Sequence, residues 1–294
     1  MAKAVECDYI KKTIPKTDEV KQLIYNSIRS NILFRACSEE ELIDLVDVFT
    51  YSEFQNECTV IQQGDEGERF YVVEAGTLGV TVRMKERSYE EEIGVPYVPG
   101  SAFGELALMY GSPRAATIRT KEFCKLWSID RNNFKGITGQ HKLKKIHRQL
   151  DFLRKVKIGD NILGDVLKSS DIDAMALATQ QETFYMDDVI IRENEKGDAF
   201  YLIEKGTVDV FTKENGKKPV MTLQPGQFFG ERALLSEDVR QATCIASSEV
   251  QCLFLMREDF VLMLGDLQDL LDGCIKEKKE FLMKKNISRA KAEM

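Results

Sequence analysis

The stretch FGELALMYGSPRAAT, residues 103–117, returns as FGERALLSEDVRQAT at residues 229–243, with a glutamate and an arginine nine residues apart in each copy. Working outward, ERFYVVEAGTLGV at 68–80 matches DAFYLIEKGTVDV at 198–210. The chain therefore repeats one set of elements twice, with small differences in loop length. Runs such as Phe70-Tyr71-Val72-Val73 and Thr77 to Val82 are β-branched and aromatic, and are punctuated by Gly64, Gly67, Gly76 and Gly100. Short strands at this spacing, without long helices between them, predict an antiparallel roll in each repeat.

Helical signals flank the rolls. Ser38-x-x-Glu41 and Ser170-x-x-Asp173 read as capping boxes at corresponding places in the two repeats. Leu143, Ile146, Leu150 and Leu153 recur at helical spacing in KLKKIHRQLDFLRKV (142–156), predicting a linking helix of about four turns. Leu262, Leu267, Leu270, Leu271, Ile275 and Phe281 predict one or two amphipathic helices between Asp259 and Lys285. The expected fold is mainly β with flanking helices: two tandem antiparallel, jelly-roll-like β-rolls joined by a helix. Residues 1–30 are an N-terminal linker and helix, 31–153 the first domain, and 154–294 the second with its C-terminal helices.

Composition narrows the class. Of 294 residues, 43% are hydrophobic and 30% charged, the balance of a globular protein. No run of eighteen apolar residues is present, and MAKAVECDYIKK lacks the apolar core of a secretory signal, so a cytoplasmic location without membrane partners is expected. A net charge of -7 argues against nucleic acid as a partner; the basic run Lys142, Lys144, Lys145 and Arg148 reads as the solvated face of the linking helix. Seven cysteines without a CxxC pair suggest buried thiols, and two histidines six residues apart suggest no metal. Trp127, in an alternating stretch, reads as packed in the core or at an interface.

The repeated motif carries chemistry suited to a cyclic phosphate. A buried phosphate needs a cation that reaches two oxygens, and arginine supplies a planar fork that stays ionised, the part assigned to Arg114 and Arg240. Glu105 and Glu231 would be repelled by phosphate but accept strong hydrogen bonds from a ribose hydroxyl. Gly104 and Gly230 let backbone approach a ligand, and Glu105-Leu106-Ala107-Leu108 would form a helical turn presenting N–H groups. One glutamate and one arginine at this spacing would ordinarily be a surface ion pair; recurrence in the same frame reverses that reading.

The element G-E-[LR]-A-L followed by R-A-A-T or R-Q-A-T closely resembles the phosphate-binding cassette of cyclic-nucleotide-binding domains. Two such domains, KLWSIDR at 125–131 and IPKTDEVKQLIYNSIRSNILF at 14–34 resemble the family of regulatory subunits of cyclic-AMP-dependent protein kinase. The resemblance implies that Glu105 and Glu231 hold the ribose 2′-hydroxyl, that Arg114 and Arg240 hold the phosphate, and that Ala115 lies beside the base. The ligand-contacting set is then Gly104, Glu105, Leu106, Ala107, Arg114, Ala115 and Ala116 in the first domain. In the second it is Gly230, Glu231, Arg232, Ala233, Arg240, Gln241 and Ala242. Relatives selective for cyclic GMP carry threonine after the arginine, so Ala115 implies cyclic AMP, while Gln241 leaves the second site's preference open.

Three departures from the pattern stand out. RENEKGD at 192–198 puts Asn194 where QQGDEGE at 62–68 has Gly64, and asparagine tolerates the same left-handed turn. No aromatic residue lies between Ile162 and Leu177 to cap a base in the first site, and Phe281 near Lys278 is the nearest candidate for the second. Lys11-Lys12-Thr13-Ile14-Pro15 does not reproduce the family's arginine-bearing inhibitory segment, so a truncated chain or a shorter relative is expected. The resemblance implies a non-enzymatic sensor, without cofactor or catalytic residues, whose partners are a cyclic nucleotide and a protein-kinase catalytic subunit. The alternatives are the sensor region of a longer cyclic-GMP-dependent kinase, although neither HRD nor DFG occurs, or a divergent relative binding another purine. A transcription regulator or a metal-dependent enzyme on the same roll is disfavoured by charge and histidine count.

Overall fold

The computed structural model describes residues 9–84, 90–105, 108, 113–158, 161–216, 218–231 and 239–259. The chain divides into two compact units, 1–144 and 145–294, a division nine residues ahead of the expected one. The C-terminal helices expected beyond Asp259, with Lys278 and Phe281, lie outside the described residues.

In the first unit, helix α1 (Asp18–Arg29) starts at Thr17, whose side chain accepts from the Val20 N–H, and carries Asp18 and Glu19 in its first turn and Arg29 in its last. Both ends thus complement the helix dipole. A 3-10 turn at Ile32–Phe34 leads to α2 (Glu39–Val48), where the Ser38 and Glu41 capping box forms as expected. Eight strands follow: β1 (Thr50–Phe54), β2 (Thr59–Ile61), β3 (Arg69–Ala75), β4 (Leu78–Arg83), β5 (Glu90–Glu92), β6 (Ala102–Phe103), β7 (Thr117–Thr120) and β8 (Cys124–Asp130). They form two antiparallel four-stranded sheets, ordered β1-β8-β3-β6 and β2-β7-β4-β5.

Alternation along β3 and β8 buries both faces of their sheet. Val73, Cys124 and Leu126 join Ile61, Leu78, Phe103 and Ile118 in one cluster. Phe70, Val72, Trp127 and Ile129 join Ile24, Ile28, Leu45 and Phe49 from the helical segments in the other. Each such large side chain contributes roughly 1.5–3 kcal/mol by leaving water. Trp127 is 6% exposed; it lies in this core, with its indole N–H donating to Glu74 at 2.5 Å and its ring beside Tyr51 and Lys16.

The linking helix, α3 (Arg131–Leu153), is longer than expected because it begins directly after β8, where Asp130 accepts from the Asn133 N–H. Gly136 and Gly139 had masked this first half. Gly136 has a packing reason: a side chain there would meet the ring of Tyr9 at 2.3 Å. The Tyr9 hydroxyl donates to Asn133 at 2.7 Å, Lys11 bridges Asp44 and Asp47 at 2.5 and 2.7 Å, and His141 lies 2.7 Å from Asp44. Burial pushes the Asp44 carboxyl up, but hydrogen bonds from Lys11 and His141 and their charges outweigh it and hold Asp44 below its ordinary value.

The second unit repeats the roll. After a short hairpin, β9 (Lys157–Ile158) and β10 (Asn161–Ile162), come α4 (Leu163–Val166) and α5 (Ser169–Ala178). The Ser170 capping box does not form. The N-cap of α5 is Lys168, without a side-chain cap, so Ser170 already sits inside the first turn and its hydroxyl donates to Asp171. Strands β11 (Gln180–Phe184), β12 (Val189–Ile191), β13 (Ala199–Lys205), β14 (Val208–Phe211), β15 (Met221–Leu223), β16 (Phe228–Phe229), β17 (Thr243–Ala246) and β18 (Val250–Met256) pair as β11-β18-β13-β16 and β12-β17-β14-β15. This is the order of the first roll. Even the register shifts recur, at Val73/Ala75 and at Ile203/Lys205. The expected mainly β architecture of two tandem antiparallel rolls with flanking helices is what the chain forms.

Candidate functional site

In each roll the motif arginine is positioned by backbone from three directions. The turn before β3 grips its main chain: Gly64 N–H donates to the Arg114 carbonyl at 2.9 Å, and Arg114 N–H donates to the Asp65 carbonyl at 2.8 Å. In the second roll, Asn194 N–H donates to the Arg240 carbonyl at 2.8 Å, and Arg240 N–H to the Glu195 carbonyl at 2.9 Å. Asn194 takes φ 68°, close to the 90° of Gly64, so the turn survives the exchange as expected.

The guanidinium is then held by two carbonyls. Arg114 donates through Nη1 to Gly104 at 3.2 Å and through Nη2 to Arg69 at 2.7 Å. Arg240 donates to Gly230 at 2.9 Å and to Ala199 at 2.8 Å. Gly104 and Gly230 turn their carbonyls toward the fork with φ of 87° and 82°, values that disfavour any side chain. A Cβ on Gly104 would also lie 2.7 Å from Arg114 Nη1, and one on Gly230 2.6 Å from Arg240 Nη1. The second site is tighter still: a Cβ on Gly197 would lie 2.0 Å from Arg240 Nε.

A guanidinium has five N–H donors, and the carbonyls engage Nη1 and Nη2 without neutralising the charge. Arg240 is 7% exposed and Arg114 is half-buried, yet among the described residues neither forms an ion pair within 4 Å. Burial pulls both below their ordinary values, while Tyr71 and Glu105 support the charge of Arg114, and Tyr201 and Glu231 are among the groups supporting that of Arg240. A buried cation on neutral carbonyls is costly unless an anion shares the site.

Glu105 is half-buried and helical, and Glu231 is 8% exposed. The charge of each glutamate supports that of its arginine. Leu108, also helical, is fully buried in the helix-side core. Ala115 is exposed and Ala116 half-buried; Gln241 is exposed, its amide donating to the Val239 carbonyl at 3.2 Å, and Ala242 is half-buried. Leu106, Ala107, Arg232 and Ala233 lie outside the described residues. A cavity of about 300 Å³ reaches Arg114 between Arg69, Tyr71, Asp65, Glu66 and Glu68; Glu105 does not line it. The carbonyl ligands Arg69 and Ala199 were not anticipated, and only their place at the start of β3 and β13 offered a signal.

This fold and this repeated site define a class. Residues 51–141 and 181–265 match the family described as "Cyclic nucleotide-binding domain", and the chain belongs to that family, with two such domains in tandem. It is similar to the cAMP-dependent protein kinase regulatory subunit of Blastocladiella emersonii, 36% identical over 271 residues, 91% of this chain and 65% of that protein. It is also similar to that of Mucor circinelloides f. lusitanicus, 35% identical over 259 residues, 87% of this chain and 58% of that protein. The chain thus spans less than two thirds of the length of both relatives. Among solved structures it is similar to the regulatory domain of Toxoplasma gondii PKA with cAMP, 30% identical, covering 90% of this chain and 99% of that one with a TM-score of 0.47. Among the described residues, no helix is long and apolar enough to cross a membrane, and no cluster of three or more histidine, cysteine or acidic side chains is placed to hold a metal.

Proposed function

We propose that the chain is a cyclic-AMP sensor that holds a protein-kinase catalytic subunit inactive and releases it when ligand occupies both domains. The observation that carries the reading is the repeated arginine, buried or half-buried, held by two carbonyls beside a left-handed glycine and facing no carboxylate partner among the described residues. In this reading Arg114 and Arg240 receive the cyclic phosphate, and Glu105 and Glu231 accept the ribose hydroxyl. Ala115 and Gln241 stand beside the base. Both residues are exposed.

The names of the relatives support the kinase partner, and thermodynamics supplies the form of the coupling. Ligand must prefer the released conformation and kinase the other, and each then weakens the other's binding by the same factor. No catalytic role is assigned to any residue, and the cytoplasm is the proposed location. Two measurements test this. Denaturing the purified chain and identifying released small molecules by mass spectrometry, after incubation with cyclic AMP and gel filtration, should yield cyclic AMP in a ratio approaching two per chain. A chain that retains none under saturating conditions contradicts the binding reading. A reconstituted kinase whose activity ignores saturating cyclic AMP contradicts the release reading alone.

A further inference from the structure

The carbonyl at the start of β3 that holds Arg114 ends a run of three, and the other two are gripped by a second arginine. Arg131, the residue after β8 and the first of α3, donates its backbone N–H to the Glu68 carbonyl at 2.9 Å and its guanidinium Nη2 to the Gly67 carbonyl at 2.8 Å. The next carbonyl along, that of Arg69, accepts from Arg114 at 2.7 Å. Three successive carbonyls, 67 to 69, thus accept from two arginines, one at the end of the roll and one in the motif.

The second domain repeats the arrangement. Arg257, the residue after β18, donates its backbone N–H to the Asp198 carbonyl at 2.6 Å and its Nη2 to the Gly197 carbonyl at 3.4 Å, while the Ala199 carbonyl accepts from Arg240 at 2.8 Å. The surroundings differ between the copies: Arg69 faces Asp130 across its sheet, and Ala199 faces Met256. A backbone N–H comes with any residue but proline, so the bonds to Glu68 and Asp198 require no particular side chain. The bond to the glycine carbonyl does, and arginine stands at both places. Pinning residues 67 and 68 fixes how the chain enters β3, and with it the direction of the carbonyl at 69. Hydrogen bonds weaken steeply when bent, so that direction decides where the Arg114 fork points.

We infer that Arg131 and Arg257 are positioning residues of the two sites: each grips the glycine carbonyl two residues before the one that holds the motif arginine, and so aims that guanidinium at the ligand's phosphate. The inference rests on the proposed binding of a cyclic nucleotide, and its test separates the two. Arg131→Met is made in the full chain carrying Arg240→Lys, which leaves the first site to be read, and Arg257→Met in the chain carrying Arg114→Lys, which leaves the second. Methionine removes the side-chain donors and keeps the backbone N–H. Each chain is titrated calorimetrically with cyclic AMP and with its Sp and Rp phosphorothioates. In these, sulfur replaces one or the other exocyclic phosphate oxygen, so their affinity ratio reports which oxygen the fork meets.

Affinity for cyclic AMP should fall by about threefold to tenfold at the first site, the range of one hydrogen bond's net contribution, and by less at the second, where the bond is longer. The phosphorothioate ratio should move by about twofold or more in the same variants. The charge of Arg131 also reaches Arg114, but the two phosphorothioates carry the same charge, so loss of a nearby cation or of stability weakens them alike. No loss, or equal losses that leave the ratio unchanged, overturns the positioning role and leaves the binding reading intact. Parent chains that bind none of the three ligands overturn both. If a methionine variant does not fold, as judged by circular dichroism, Arg131→Gln or Arg257→Gln, whose side chain is too short for the same bond, is read by the same ratio.

Discussion

Replacing Gly104 by alanine probes the geometry on which the first site depends. Its φ of 87° disfavours a side chain by about 1–2 kcal/mol. The new Cβ would lie 2.9 Å from the Arg69 carbonyl oxygen and 2.7 Å from Arg114 Nη1, and the carbonyl belongs to the central strand β3, so the overlap adds about 1–3 kcal/mol. The total is about 2–5 kcal/mol, and what gives way is the guanidinium. Gly64→Ala is the matched control: its φ is 90°, but a Cβ there meets nothing within 4 Å, so only the backbone penalty of about 1–2 kcal/mol applies. Gly64→Asn should be milder than either, because Asn194 already holds that turn at φ 68° in the second roll. Trp127, the only tryptophan, lies in the first unit, so urea unfolding followed by its fluorescence reports that unit, and cyclic AMP titration reports its site. The expected order of damage to both is Gly104→Ala, then Gly64→Ala, then Gly64→Asn. Equal stability for the two alanine variants, with first-site affinity unchanged in Gly104→Ala, would refute the reasoning.

Gly197→Ala should abolish ligand binding at the second site and spare the first, because its Cβ would lie 2.0 and 2.1 Å from Nε and Cζ of Arg240; a two-site titration that keeps both phases would count against the close approach. Ser38→Ala should cost about 1 kcal/mol through loss of its capping box, whereas Ser170→Ala, inside the first turn of α5, should change stability by only a few tenths, both read by denaturant midpoint. Asp44 is held below its ordinary value of 3.8, so below that pH the unfolded chain binds more protons than the folded one, and stability falls as pH drops. In Asp44→Asn the first unit should lose less stability than the parent between about pH 4 and 3, and parallel pH profiles would show that the Lys11 and His141 contacts contribute nothing.

The repeat made the architecture legible, since the same alternation and glycine punctuation occurring twice leave two rolls as the simplest reading. The arginines were legible because the role proposed for them needs a side chain, and a side chain must itself be encoded. Their carbonyl partners were not: any residue at Arg69 or Ala199 supplies the same oxygen, so backbone chemistry leaves no residue-type signal. The first half of α3 was hidden by Gly136 and Gly139, poor helix formers, although Gly136 is explained by the ring of Tyr9 packed against it. Ser170 misled because a capping pattern is local, while α5 begins at the place that Lys168 shares with Ser38 in the repeat.

The most direct test of the two-site account is a calorimetric titration of cyclic AMP into the full chain and into Arg114→Lys, Arg240→Lys and the double variant. An ammonium cannot reproduce the fork, and losing such a buried charge partner costs about 3–5 kcal/mol, roughly two to three and a half decades of affinity. The account predicts two sites in the parent, one strong site remaining in each single variant, and none in the double variant. Two undiminished sites in either single variant would contradict it.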